Sequence, residues 1–310
     1  MKIVFLDADT LGHDISLDPI SSLGDYVPYP ATSPEDVPER IAEAEVVITN
    51  KVYIGKNEMD SDPALRLICV AATGTNNVDI PYAESRGIAV RNAVDYSTES
   101  VAQITMAFIL GMTCRISYFD SYVKSGEYST SGCFTNALNP FFELKGKTAG
   151  IVGLGHIGSR VAELASAFGM EILYFPTSGK AHSDKYEAVT DLHSFLSRCD
   201  VVSIHCPLNE RTNGLIAYDD LRAMKRSAYL VNMGRGGIVV EKDLARALDE
   251  GLLSGAALDV FTTEPLPGGH PYLSMAHPER IMLTPHIGWA SREARVKLVQ
   301  KIADNIITSL

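Results

Sequence analysis

Residues 150–169, GIVGLGHIGSRVAELASAFG, decide the fold of this chain. An apolar run predicts a buried strand, three glycines follow in the spacing G-x-G-x-x-G, and a run of good helix formers comes next. In such a turn Gly153 permits the tight bend, Gly155 lets the backbone approach a pyrophosphate, and Gly158 allows the helix to pack closely on the strand. The N–H groups that begin the helix would meet the phosphate charge. The stretch therefore predicts a dinucleotide-binding unit.

Further strands and helices alternate on both sides of this unit. The preceding part of the chain carries apolar runs that predict strands at residues 3–6, 46–49, 67–71 and 88–91. Helices are predicted between them at 33–45 and 78–87. A second series of strands is predicted at residues 149–152, 171–175, 201–205, 229–232, 256–260 and 281–283. Alternation of this kind predicts parallel sheets with crossover helices.

The two series predict two domains. A long helix opened by Ser97 and Thr98 separates them, and an amphipathic helix at 291–310 would pack back on the first series. We therefore expect an α/β protein with two Rossmann-like, doubly wound domains. A discontinuous, flavodoxin-like substrate domain would comprise 1–97 and 287–310, and an inserted NAD(P)-binding domain would comprise 98–286.

Composition limits the classes of function. The formal net charge of -11 would repel phosphate backbones, so we expect no nucleic-acid surface. The five cysteines are odd in number and show no C-x-x-C pair, which argues against a disulfide framework and against a metal site. No apolar run approaches the length of a membrane helix, and no signal-peptide pattern is present. These features predict a cytoplasmic protein without a metal or a membrane partner.

The strand after the glycine helix ends at Phe175, where a dinucleotide site commonly has an acidic residue that binds the ribose hydroxyls. Such a carboxylate would repel a 2′-phosphate, so its absence permits NADP(H). The next residues include Thr177, Ser178 and Lys180, two hydroxyls and a cation that could hold a phosphate. The sequence thus favours NADP(H) slightly. The alternative is that PTSGK is a plain polar loop and that NAD(H) binds through the remaining contacts.

Three charged residues each follow the carboxyl end of a predicted strand, the edge at which open α/β sheets bind ligands. Arg235 offers a fork of donors that suits a carboxylate or a polarised carbonyl. His286 could exchange a proton near neutral pH, and Glu264 could orient it. Singly, these residues could equally be a surface turn, a satisfied histidine and a solvated carboxylate. Together, beside a dinucleotide turn, they predict hydride transfer to a 2-oxo acid.

The order and spacing of five stretches resemble those of the D-isomer-specific 2-hydroxyacid dehydrogenases. The stretches are GLGHIG, HCPLNERTNGLI, LVNMGRGGIVVEKDLARAL, GAALDVFTTEP and TPHIGWAS, and the similarity runs along essentially the whole chain. The resemblance implies that Arg235 binds the substrate carboxylate and carbonyl, that His286 protonates the carbonyl oxygen during reduction, and that Glu264 supports His286. It also implies a homodimer. The aromatic segment at 126–146 would either cover the core or form the dimer contact.

The resemblance also implies further binding residues. For the substrate they are Thr73 and Gly74. Where many members of the family have small residues after the catalytic histidine, this chain has Trp289, whose ring could line the substrate pocket or fill a gap in the core. For the cofactor, beside the glycines and the phosphate-loop residues already named, they are His156, Ile157, Cys206, Pro207, Thr212, Met233, Asp259, His286 and Gly288.

The expected function is NAD(P)-dependent interconversion of a 2-oxo acid and a D-2-hydroxy acid. TNKVYIG and TPHIGWAS are similar to the glycerate dehydrogenase/hydroxypyruvate reductase branch of the family, which favours hydroxypyruvate or glyoxylate as substrate. One alternative is a dehydrogenase for bulkier aliphatic or aromatic 2-oxo acids. Another is a nucleotide-sensing binding protein similar to the corepressors that share this fold.

Overall fold

The chain divides into two compact units. The computed structural model describes residues 1–181 and 183–310. The first unit comprises Met1–Ser97 and Trp289–Leu310, and the second comprises Thr98–Gly288. His182, which its polar surroundings predict to be exposed, lies outside the described residues.

The first unit contains a parallel sheet. Its strands are β1 (Lys2–Phe5), β2 (Asp25–Pro28), β3 (Val46–Thr49), β4 (Leu67–Val70) and β5 (Ala89–Asn92). They lie in the order β2-β1-β3-β4-β5, which is the order of flavodoxin-like folds. The central strands β3 and β4 are buried at every residue because both faces of the sheet are covered, and this explains their continuous apolar sequences.

The α-helices connect and cover the strands of both units. In the described residues they are α1 (Asp18–Ser21), α2 (Val37–Arg40), α3 (Lys56–Ser61), α4 (Ile80–Ser85), α5 (Thr98–Thr113), α6 (Ile116–Lys124), α7 (Glu127–Thr130), α8 (His156–Ala167), α9 (Leu192–Arg198), α10 (Tyr218–Ala223), α11 (Glu241–Asp249) and α12 (Arg292–Ser309).

Helix α12 returns the end of the chain to the first unit. The side chain of Ser291 caps its start by accepting a hydrogen bond from Ala294 N at 3.2 Å. Leu298 and Ile302, one turn apart, are fully buried in a cluster that includes Phe5 of β1. The expected packing of the last helix on the first series of strands is therefore confirmed.

The second unit contains a larger parallel sheet. Its strands are β6 (Thr148–Val152), β7 (Glu171–Phe175), β8 (Glu187–Ala188), β9 (Val201–Ile204), β10 (Tyr229–Asn232), β11 (Gly255–Leu258) and β12 (Ile281–Leu283). The order β12-β11-β10-β9-β6-β7-β8 is the Rossmann order with one strand added beside the sixth. It reverses between β6 and β9, the switch point at which such sheets bind ligands. The expected pair of doubly wound α/β folds is thus confirmed.

Helices cover both faces of this sheet. Helices α5 and α8 pack together on one face, while α9, α10 and α11 contribute to the core on the other. Among the described residues no single helix is long and apolar enough to cross a membrane. The adjoining helices α5 and α6 reach that length and composition only when joined across a 59° bend.

The sequence prediction misses two strands and makes one helix too long. Strands β2 and β8 were not predicted: DYVP contains a proline and is only partly buried, and β8 has two residues. The helix expected over 33–45 is a short 3₁₀ turn followed by α2, which ends at Arg40. Glu43 adopts a left-handed conformation with φ 63°, and Ala44 N donates to Asp62 Oδ2 at 2.9 Å. These features turn the chain into β3 and end the helix early.

Candidate active site

The glycine turn lies between β6 and α8, at the switch point of the second sheet. Gly153 has φ 89°, and a Cβ atom there would lie 2.8–2.9 Å from the backbone and Cβ of Cys206. A Cβ at Gly158 would collide with the carbonyl oxygen of Gly153. At Gly155, in contrast, the position of a Cβ is open space. Gly153 and Gly158 therefore allow tight packing, and Gly155 leaves open space beside the backbone of the turn.

The start of helix α8 has the properties of an anion site. Gly155 precedes the helix and offers no capping side chain, and the first turn contains no acidic residue. His156 is exposed and Ile157 is half-buried in this turn. The first N–H groups of a helix have no partners within the helix and carry partial positive charge. The turn and the helix start thus fit the pyrophosphate of a dinucleotide.

Cys206 and Thr212 bound the loop that follows β9. Cys206 is buried against Gly153, and burial raises the pKa of its thiol to about 11, so the thiol is uncharged at neutral pH. Thr212 is also buried: its hydroxyl donates to Pro207 O at 2.6 Å and accepts from Asn209 N at 2.8 Å. These contacts fix the turn from residue 207 to residue 212. Because the Thr212 hydroxyl forms both of these hydrogen bonds within the loop, the residue stabilises the loop conformation.

A pocket of about 180 Å³ opens at the end of β7. Phe175 lies in its wall, with the ring packed against the buried Phe195 at a centroid distance of 5.8 Å. Thr177 and Ser178, two of the residues that the sequence predicts to hold a phosphate, line the pocket, whereas the third, Lys180, is not among the lining residues. The cation in the lining is Arg211, which sequence reasoning missed.

Arg235, Glu264 and His286 follow three neighbouring strands. Arg235 comes after β10, Glu264 after β11 and His286 after β12, and these strands are adjacent in the sheet. Parallel strands end at the same edge, so the three side chains are presented on one side of the second unit.

The turn that carries Arg235 is fixed by its neighbours. The buried Asn232 donates to Arg235 O at 2.9 Å and accepts from Gly234 N at 3.0 Å. A Cβ at Gly236 would collide with the backbone of Phe261, so the Arg235 turn packs directly on the loop that leads to Glu264. Arg235 itself is half-buried, and its Nη1 donates to Gly234 O at 2.8 Å. Asn232 was not predicted from the sequence, where an asparagine at a strand end resembles an ordinary turn residue.

Glu264 and His286 form the central pair of the site. Glu264 Oε2 lies 2.7 Å from His286 Nδ1, and Glu264 Oε1 accepts from Phe261 N at 2.9 Å. An ionised carboxylate can only accept, so Nδ1 of the imidazole is the donor and Nε2 is left to exchange a proton. The His286 side chain is 21% exposed and can therefore be reached by a small molecule.

Asp259 holds the loop on both sides of the histidine. Its carboxylate accepts from Thr284 Oγ1 at 2.6 Å, Ile287 N at 2.8 Å and Gly288 N at 2.7 Å. Burial raises the pKa of this carboxyl, while the three hydrogen bonds oppose the rise. His286 has φ 55°, which is uncommon for a residue other than glycine. The carboxylate thus anchors a strained turn.

Gly288 and Met233 pack around the same loop. A Cβ at Gly288 would lie 2.7 Å from Met233 Cε and 2.9 Å from Asp259 Oδ2. Ser100 Oγ donates to Gly288 O at 2.6 Å. Gly288 and Met233 are both buried and pack against neighbouring residues of the second unit. Their contact with a cofactor stays a prediction.

The remaining predicted residues belong to the first unit. Thr73 and Gly74 lie in the turn after β4, where Thr73 Oγ1 donates to Ala93 O at 3.0 Å and Thr73 O accepts from Asn92 Nδ2 at 2.6 Å. Trp289 packs edge-on against Tyr96, with ring centroids 6.4 Å apart, at the border of the core around β1. This packing agrees with the core-filling alternative. The predicted substrate contacts of all three residues remain predictions.

Comparison with known proteins identifies the family. The D-isomer specific 2-hydroxyacid dehydrogenase NAD-binding domain matches residues 106–288. A hydroxypyruvate reductase from Blautia hydrogenotrophica is 34% identical over 99% of this chain and 96% of its own, and a glycerate dehydrogenase from Methylorubrum extorquens is 34% identical over 98% and 95%. An NADPH-dependent glyoxylate/hydroxypyruvate reductase from Sinorhizobium meliloti, solved with NADP and malonate, superposes with a TM-score of 0.83 at 25% identity, over 99% of this chain and 92% of its own. The chain therefore belongs to the D-isomer-specific 2-hydroxyacid dehydrogenases.

Proposed function

We propose that this NAD(P)-dependent dehydrogenase reduces a small 2-oxo acid, hydroxypyruvate or glyoxylate, to the corresponding hydroxy acid. The observation that carries the proposal is the Glu264–His286 pair beside Arg235 at the ends of three adjacent strands. The names of the relatives, hydroxypyruvate reductase and glycerate dehydrogenase, support the choice of substrate.

The site residues have separate tasks in this reaction. The guanidinium of Arg235 binds the substrate carboxylate and polarises the carbonyl oxygen. His286 gives the proton on Nε2 to that oxygen, and in the reverse direction takes the hydroxyl proton. Glu264 keeps the imidazole oriented and compensates its charge. A nicotinamide cofactor, when bound, would supply the hydride to C2 or accept it in the reverse direction. One proton and one hydride together reduce the carbonyl to an alcohol.

The turn at Gly153–Gly158 and the start of α8 would hold the cofactor pyrophosphate. We favour NADP(H) slightly over NAD(H), because no carboxylate stands at Phe175 and two hydroxyls follow it. The relative solved with NADP supports this preference.

The test is the initial rate of hydroxypyruvate and glyoxylate reduction with NADPH and with NADH, each over a range of cofactor concentrations. We expect the glycerate formed from hydroxypyruvate to have the D configuration, whereas the glycolate formed from glyoxylate is achiral. Phenylpyruvate is the comparison substrate, because a higher kcat/KM on it would replace the proposal by the bulky-substrate alternative. The H286A variant, prepared in parallel, is the control for contaminating activity. A wild-type rate no higher than that control on all three acids would overturn the proposal and revive the binding-protein alternative.

We also propose that the enzyme is a cytoplasmic homodimer. Residues 116–142 of the second unit expose a series of apolar side chains, with Phe134 and Leu138 exposed by 89% and 93%. Exposed apolar surface of this kind is typical of interaction sites. A second copy of the chain is the proposed partner, since the same surface on both copies can pair about a two-fold axis. The acidic net charge of -11 supports the expected absence of a nucleic-acid partner.

A further inference from the structure

The pocket at the end of β7 contains a cation that the sequence did not connect with it. Residues 175–179 form one side, and Thr190, Arg211 and Leu215 contribute from other parts of the second unit. Arg211 is 33 positions from Ser178, yet its Nη1 donates to Ser178 O at 3.1 Å. The loops after β7 and β9 therefore meet at this pocket.

The electrostatic character of the pocket is positive. Among the residues that the structure describes, its lining includes Arg211 and no acidic residue. In the described part of the chain no acidic side chain lies within ion-pairing distance of Arg211. Within the described residues, the Arg211 side chain makes one hydrogen bond, from Nη1 to the carbonyl oxygen of Ser178, and its other N–H donors are left for a ligand. Such a fork suits a phosphate, because it can donate two parallel hydrogen bonds to the phosphate oxygens.

The two hydroxyls of the loop differ in their availability. Ser178 Oγ donates to Lys180 O at 3.2 Å and accepts from Lys180 N at 3.4 Å, so it stabilises the turn. Within residues 1–181 and 183–310, Thr177 Oγ1 forms no hydrogen bond, although the residue lines the pocket. Thr177 thus supplies a hydroxyl donor in the same pocket as Arg211.

We propose that Arg211, with Thr177, binds the 2′-phosphate of the adenosine ribose and makes the enzyme prefer NADP(H). Arg211 takes the part that the sequence assigns to Lys180. The proposal rests on the proposed function only in that it concerns the same cofactor site. It also needs the absence of a carboxylate at Phe175, because such a carboxylate would repel the 2′-phosphate.

Isothermal titration of the full chain with 2′,5′-ADP and with 5′-AMP tests the proposal without turnover. Wild-type protein should bind 2′,5′-ADP at least about 10-fold more tightly than 5′-AMP. The R211Q variant should lose that preference by roughly 10- to 100-fold, the range for a hydrogen-bonded charge, with 5′-AMP binding unchanged. R211K should restore part of it, since lysine keeps the charge without the fork.

K180Q is the matched control, because it removes a cation from the same loop, and it should keep the preference. The proposal is overturned if wild-type protein does not distinguish the two nucleotides, if R211Q keeps the preference, or if K180Q loses it. Far-UV circular dichroism checks that each variant is folded. A protein that reduces hydroxypyruvate with NADH but ignores the 2′-phosphate would refute this proposal and leave the proposed reaction intact.

Discussion

Glu264 and His286 are 22 positions apart in sequence, and a 2.7 Å contact joins their side chains in the second unit. The contact orients the imidazole with Nε2 away from the carboxylate. Because the residues follow adjacent strands, the pair is built by the sheet itself.

Replacing His286 by alanine should lower kcat by roughly 100- to 10,000-fold, the usual contribution of a positioned acid/base group. Binding of 2′,5′-ADP should remain at the wild-type level, because the pocket after β7 does not include this residue. Stopped-flow and steady-state rates on hydroxypyruvate provide the measurement. A kcat within 10-fold of wild type would show that another group moves the proton.

Asp259 should act as a positioning residue for His286. Its carboxylate has two oxygens for Thr284 Oγ1 and for the amides of Ile287 and Gly288, whereas the amide side chain of D259N has one acceptor oxygen. We expect kcat to fall at least about 10-fold and the unfolding free energy to fall by about 1–3 kcal/mol, as for a buried polar group left unpaired.

The matched control is Thr284→Val, which removes the hydroxyl and keeps both amide bonds to Asp259. It should change kcat much less than D259N. Equal loss in the two variants would assign the effect to general destabilisation. A positioning role is supported if D259N loses more kcat than Thr284→Val when the two variants have similar unfolding free energies.

Much of the sheet could be predicted because buried parallel strands have continuous apolar sequences. The predicted limits at Val46–Thr49, Glu171–Phe175 and Tyr229–Asn232 agree with the structure. Two of the four edge strands, β2 and β8, do not carry this signal. Strand β2 is only partly buried, so its four residues need not be apolar.

The cofactor turn was predictable for a different reason. Backbone conformation and close packing at Gly153 and Gly158 leave no space for a side chain, so these positions require glycine and can be recognised in the sequence. The hydrogen bond from Arg211 to Ser178 could not be predicted from the sequence, because it depends on how two loops that follow different strands meet. The resemblance implies that Asp259 lies near the cofactor. Its hydrogen bonds to the loop that carries His286 depend on the tertiary structure and could not be predicted from the sequence.

The stability of the chain should depend on His205. Ser203 Oγ lies 2.8 Å from its Nε2, and the buried Nδ1 has no hydrogen-bond partner among residues 1–181 and 183–310. Burial lowers the pKa of the imidazole from 6.5 to about 3. Between these values the unfolded chain binds a proton that the folded chain does not. The contribution of His205 to the free energy of unfolding is therefore fully present well above pH 6.5 and falls as the pH is lowered towards 3, by at most about 1.4 kcal/mol per pH unit.

Urea unfolding followed by far-UV circular dichroism at pH 7, 6 and 5 measures this dependence. In H205Q, which cannot titrate, the decrease in midpoint between pH 7 and pH 5 should be smaller than in wild type. His193→Gln is the control, because its imidazole is 60% exposed and paired with Asp220. The same decrease in H205Q and in wild type would contradict the prediction.

The apolar surface of residues 116–142 should govern the oligomeric state. Charged residues at its most exposed positions, in the double variant F134E/L138E, would have to be desolvated in a dimer, which is costly without partners. We expect wild type to elute as a dimer in size-exclusion chromatography with light scattering, and the double variant as a monomer. Leu273→Glu is the matched control, since Leu273 is 57% exposed in the same unit but lies outside the segment, and it should remain dimeric. A wild-type monomer at all concentrations, or a dimer that persists in the double variant, would assign this surface to a different partner or a different role.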